Sequence, residues 1–280
     1  MNSAVTSIRS DRAATALRDR CGLPVVIAAI FATSWLGMLP LLLASWHGAP
    51  SQPARLDPLQ VFTLAPGLVA LAAAWLNGGR PACRHLFGRL LRWRATCSLY
   101  GAVLLGPPAL VLASILISNG LGYSALRLPS AGDALAALVP DFAVQLLLNT
   151  EEFAWRGYVL PRLQRRCSPL LASLLLGVIC AVLHAPYFFL RGGHPAGFTP
   201  WLFVAALLPL SVLLTRTFNA AAGSVLLPHL LHQSLNAWTE VLPYLPRCAG
   251  SDAPVTISVL IACVLAAFAV IVWPSMWTRR

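Results

Sequence analysis

Eight apolar runs, at 23–44, 61–76, 98–118, 134–150, 170–190, 201–215, 220–241 and 256–273, follow one another along the 280 residues with only short polar segments between them. A helix rises about 1.5 Å per residue and the hydrocarbon core of a bilayer is about 30 Å thick, so roughly 20 mainly apolar residues make one crossing. Such a chain is expected to fold as an all-α polytopic membrane protein, a bundle of about eight transmembrane helices. The charge content agrees: 10% of the residues are charged, against about a quarter in a water-soluble domain. The runs at 61–76 and 201–215 are short enough to tilt or to re-enter the membrane.

All twenty basic residues are Arg and none is Lys, giving a formal net charge of +11. An excess of this size could serve nucleic acid, but the Arg residues sit in short clusters between apolar runs, the pattern that orients a polytopic protein, so no nucleic-acid partner is expected. With the N-terminus in the cytoplasm, sixteen Arg lie on the inner side and four (Arg55, Arg127, Arg191 and Arg247) outside. That bias requires all eight runs to cross and puts both termini inside, as in a bacterial cytoplasmic membrane protein. Residues 1–21 form a cytoplasmic basic segment that resembles a signal-peptide n-region; the apolar stretch after it is too long for an h-region and reads as an uncleaved anchor. Residues 22–280 form a single polytopic domain with no internal repeat.

In the second inner loop Cys83, Leu86, Phe87, Leu90 and Leu91 recur at helical spacing opposite Arg84, His85, Arg89 and Arg92, which predicts an amphipathic interfacial helix on the membrane surface. The seven Cys are scattered and odd in number, without a Cys-x-x-Cys pair, so neither a disulfide framework nor a zinc ribbon is indicated.

Ionisable groups at membrane depth are costly and mark sites. Glu151 and Glu152 end the fourth run and are followed by Arg156. Glu152 and Arg156 are i, i+4 on one helical face, so one carboxylate is paired and Glu151, turned about 100° away, is left free. The fifth run carries His184, and the seventh carries His229, His232 and Asn236. If the hairpin between the fourth and fifth runs turns near Cys167, Glu151 and His184 lie at almost equal offsets from it and hence at equal depth; His232 reaches a similar level. Each residue has a plain structural explanation, and for His229 a carbonyl-bonded structural role is the favoured one. The coincidence in depth is what points to one buried site.

At these residues the chain resembles the CPBP family, the CAAX-protease and bacteriocin-processing group of glutamate-type intramembrane endopeptidases that includes the Rce1-like prenyl-protein proteases. The matching motifs are Glu151-Glu152 with Arg156, then His184, then His232 with Asn236; Cys180 stands where the family usually has Phe. The resemblance covers about 134–241. It implies an intramembrane endopeptidase with an eight-helix bundle around a water-filled cavity, in which Glu151 and His184 activate water, His232 and Asn236 stabilise the oxyanion, and Glu152 and Arg156 support the site. It implies no metal and no cofactor, and a membrane-embedded or lipid-linked peptide substrate taken from the lipid bilayer. Three alternatives stay open on the residues alone. One is a metal-dependent protease using Glu151, His184 and His232 as ligands, although His-Glu-x-x-His is absent. A rhomboid-like serine protease built on Ser124 is weaker, since Gly122-Tyr123-Ser124-Ala125 lacks the second Gly. The third is a non-proteolytic scaffold, immunity protein or transporter.

Overall fold

The computed structural model describes residues 21–47, 58–124, 127–190 and 198–278. The basic segment before residue 21, Arg55, Arg191, Arg279 and Arg280 lie outside the described residues. Helices α1 (Leu23–Trp46), α2 (Pro58–Leu90), α3 (Cys97–Gly120) and α4 (Ala131–Leu148) are followed by α5 (151–164). The last of these is α-helical over Glu151–Ala154, widens to a π turn over Trp155–Val159 and closes over Leu160–Gln164. Helices α6 (Pro169–Leu183), α7 (Pro200–Ala220), α8 (Leu226–Val241) and α9 (Ala253–Val272) complete the bundle. No strand occurs among the described residues, and seven helical stretches there are long and apolar enough to cross a membrane. The chain is an all-α polytopic integral membrane protein.

The helix starts are written in the sequence. Thr96, Ser130, Ser168 and Thr199 each accept a hydrogen bond from the backbone N–H three residues on, capping α3, α4, α6 and α7. Pro169 and Pro200 follow two of these caps, at the first helical position, where a missing N–H costs nothing.

Three elements differ from the sequence expectation. The short second run belongs to a much longer helix, bent at Gly79, whose φ of 60° and ψ of −152° suit glycine. Beyond the bend the amphipathic stretch is helical as expected, but it is docked against protein on one side: Leu86 is buried, while Phe87 and Leu91 stay exposed. The fourth run is broken at Asn149 and Thr150, so Glu151 opens a new helix instead of closing an old one. The seventh run starts its helix only at Leu226, because a turn with positive φ at Ala222 and Gly223 is tied to the end of α2: the Val225 N–H donates to the Arg89 carbonyl, and Ser224 Oγ donates to that of Arg92.

The core gathers around α5. Trp155, Tyr158, Val159 and Leu160 are buried against Phe62, Leu86, Leu176, Leu183 and Phe218 from α2, α6 and α7. Asn77 joins this region to the start of α1, donating to the Tyr158 hydroxyl at 2.8 Å and to the Cys21 carbonyl at 3.2 Å. By contrast α4 buries none of its residues; it packs mainly on α8 and turns Asp141, Val144, Gln145 and Leu148 toward a cavity.

The break before α5 is pinned by α2. Thr150 Oγ donates to the carbonyls of Thr63 and Leu64 at 2.8 and 3.0 Å and accepts from the Gly67 N–H at 3.0 Å. A Cβ on Gly67 would come within 2.4 Å of that Oγ. Gly67→Ala is therefore expected to destabilise the protein by about 1–3 kcal/mol through overpacking, read as a lower unfolding midpoint in detergent; an unchanged midpoint would contradict the tight contact described here.

Candidate active site

Glu151 and Glu152 stand at the N-terminus of α5 and are both buried, at 3% and 0% exposure. The first N–H groups of a helix lack internal partners and favour negative charge. Asn149 supplies one of those partners, its Oδ1 accepting from the Glu151 N–H at 3.0 Å. Past these two residues the side chains diverge, as the helical spacing predicts.

Glu152 turns into a buried network. Its Oε1 accepts from Arg156 Nη1 at 3.0 Å and from His232 Nδ1 at 2.9 Å. Arg156 extends the chain through Nη2 to Ser211 Oγ at 2.9 Å, and Ser211 Oγ donates to the Ser173 carbonyl at 2.7 Å. One ion pair thereby connects α5, α6, α7 and α8. Arg156, counted above among the charges of an inner loop, is 2% exposed and lies inside the protein; its role in topology is replaced by a role in packing.

Glu151 faces His184, with Oε1 3.8 Å from Nε2. His184 caps the C-terminus of α6, and its Nδ1 lies 2.8 Å from the Cys180 carbonyl. A carbonyl only accepts, so Nδ1 carries the proton, and in the neutral ring Nε2 presents a lone pair toward Glu151. The gap of 3.8 Å exceeds a direct hydrogen bond and admits a water at hydrogen-bond distance from both atoms. Phe62, Tyr187 and Phe203 surround the imidazole at ring separations of 5.3, 5.6 and 5.3 Å. These rings come from elements other than α6.

His232 spends Nδ1–H on Glu152, so Nε2 is its remaining polar atom and donates only when the ring holds both protons. Asn236 sits one turn further along α8 and gives its amide to Gln233 Oε1 at 3.3 Å; Gln233 in turn bonds His229 Nδ1 at 3.3 Å. His229 Nε2 is 2.9 Å from the Leu146 carbonyl, which makes this histidine a strut between α8 and α4.

Glu151, Glu152, Arg156, His184, His232 and Asn236 all line one cavity of about 680 Å³, within the range of small-ligand sites. Its walls are largely apolar, from Val144, Leu148, Leu207, Leu210 and Leu214, with Asp141, Gln145 and Thr239 as further polar members. Ser124 is absent from that lining and donates to Ser118 Oγ at 2.9 Å. Among the described residues no three His, Cys, Asp or Glu side chains are arranged to hold a metal ion. Sequence reasoning missed Ser173 and Ser211, whose roles depend on tertiary contacts, Asn149, whose local cap on the Glu151 N–H an Asn just before the helix could have signalled, and Asp141, a charge inside an apolar run that the depth argument could have flagged.

The family model described as Type II CAAX prenyl endopeptidase Rce1-like matches residues 132–238. A curated relative from Methanococcus maripaludis, CAAX prenyl protease 2, is 30% identical over 144 residues, which is 48% of this chain and 53% of that protein. The chain spans about half the length of this relative. Glu151, Glu152, Arg156, His184, His232 and Asn236 all lie within the matched segment.

Cutting the ion pair strands a buried charge. Arg156→Met is expected to lower stability by about 3–5 kcal/mol, and adding Glu152→Leu to recover much of it. Thermal unfolding of the single and double variants measures this; equal losses in both would contradict a coupled pair.

Proposed function

We propose that this chain, whose residues 132–238 match the Rce1-like endopeptidase model, is an intramembrane endopeptidase acting on a membrane-embedded or lipid-linked peptide. The observation that carries the reading is the 3.8 Å separation of Glu151 Oε1 and His184 Nε2 on the wall of an apolar-sided cavity. A water lodged between them donates its protons to two bases and turns its lone pair toward a peptide carbonyl. Glu151 takes a proton as the water oxygen bonds to the carbonyl carbon, and the same proton passes to the departing amine when the C–N bond breaks. His184 orients the water through Nε2, held in register by the Cys180 carbonyl.

His232, in its doubly protonated form, and Asn236 stabilise the oxyanion. In a water-poor cavity such donors gain strength relative to bulk solvent. Glu152 accepts from the other side of the His232 ring and fixes its orientation, while Arg156 ties Glu152 to Ser211 of α7. The apolar walls suit a substrate drawn from the bilayer, where a soluble peptide would gain little. No metal or cofactor is assigned a step.

Wild-type protein reconstituted in liposomes is expected to cleave a lipid-anchored peptide pool. Glu151→Gln and His184→Ala are each expected to lower kcat/KM by at least about 100-fold with the unfolding midpoint kept, His232→Ala to lower kcat/KM as far but with a lower midpoint because buried Glu152 loses a donor, and Asn236→Ala to be milder. Mass spectrometry of the products checks this. Full activity in Glu151→Gln overturns the mechanism; loss of activity to a chelator, restored by zinc, selects the metal-dependent alternative. A biological effect that survives in Glu151→Gln without any cleavage selects the scaffold.

A further inference from the structure

The cavity contains a second polar feature that hydrolysis does not use. Asp141, Gln145 and Asn149 are spaced i, i+4, i+8 along α4 and its C-cap, and all three line the cavity. On the facing wall His232, Asn236 and Glu240 repeat the same spacing along α8. Glu152 is paired with Arg156, Glu240 with Arg247, and Glu151 faces His184. Among the lining carboxylates of the described residues, only Asp141 has neither a cation nor a hydrogen-bond donor, although its Oδ2 is closed off from solvent. A carboxylate left so at membrane depth is costly, and a ligand that brings positive charge or donors relieves that cost.

The spacing says how a peptide would meet it. Four helical residues rise about 6 Å, close to the roughly 6.6–6.8 Å over which an extended chain returns a side chain to the same face. An extended peptide laid along α4 therefore offers one group per rung. From Asn149, beside the reactive pair, to Asp141 is about 12 Å, or between three and four extended residues.

We propose that Asp141 is a specificity-determining residue that binds a basic side chain of the substrate, three to four residues from the scissile bond, with the peptide extended along α4. The assignment rests on the hydrolytic reading of Glu151 and His184. It favours peptides that carry a Lys or Arg on the Asp141 rung over those that are neutral there.

Binding separates this assignment from catalysis. Full-length protein with Glu151→Gln, in detergent micelles, is titrated against fluorescein-labelled, palmitoylated twelve-residue peptides in which one lysine is walked through a neutral sequence, each with its norleucine counterpart. At one or two adjacent positions lysine is expected to bind about tenfold tighter than norleucine. Adding Asp141→Asn should bring that ratio near one, and Asp141→Arg should transfer the preference to a glutamate peptide. A lysine preference at no position, or one that persists in both Asp141 variants, overturns the proposal. The same peptides given to protein with Glu151 intact test the other reading: lysine-selective binding without cleavage sinks the hydrolase and keeps the cation site.

Discussion

The Glu152–Arg156 ion pair is the interaction on which the rest of the structure depends. Two charges are removed from water inside a bundle that is itself solvated by lipid, and neither tolerates the loss of the other. Their remaining hydrogen bonds are spread over three more helices, through Ser211 and Ser173 on one side and His232 on the other. Each helix of the site is therefore registered against one buried carboxylate. Glu151, the next residue along the chain, is freed by that arrangement to face the cavity.

A bilayer supplies little hydrophobic force between helices, so close contacts and polar bonds must set their positions. Here Thr150 is seated in α2 at Gly67, His229 ties α8 to the Leu146 carbonyl, and Asn77 joins Tyr158 to the start of α1. These bonds lie around Glu151 and His184. The π turn over Trp155–Val159 begins three residues after Glu152, and such widened turns are frequent at functional sites. Next to this fixed side, α4 buries nothing, which leaves the cavity bounded by one firmly held wall and one wall with no buried residue.

Much of this was legible in the residues. Periodic apolar runs and the scarcity of charge gave the class of fold, and the i, i+4 relation of Glu152 and Arg156 gave their pairing. The equal offsets of Glu151 and His184 from Cys167 anticipated their meeting, because depth along antiparallel helices is arithmetic. What was hidden depends on contacts distant in sequence. The helix break at Asn149 and Thr150 is held by α2 as well as by the local Asn149 cap on the Glu151 N–H, and the apolar run around these two polar residues masked that cap. The late start of α8 reflects a turn bonded to residues 89 and 92. Arg156 looked like a topological charge because its partners Ser211 and His232 lie 55 and 76 positions away or meet it only through Glu152. The rings around His184 come from Phe62, Tyr187 and Phe203, so the missing Phe of the motif at Cys180 could not reveal them.

We propose that water, held by Glu151 and His184, attacks the peptide carbonyl directly. Partitioning in the presence of a second nucleophile tests it: reconstituted protein is given a cleavable lipid-anchored peptide in ¹⁸O-water containing hydroxylamine. Direct attack predicts ¹⁸O in the new carboxyl group and no peptide hydroxamate at any hydroxylamine concentration. Hydroxamate that grows with hydroxylamine would reveal an acyl-enzyme and contradict the account.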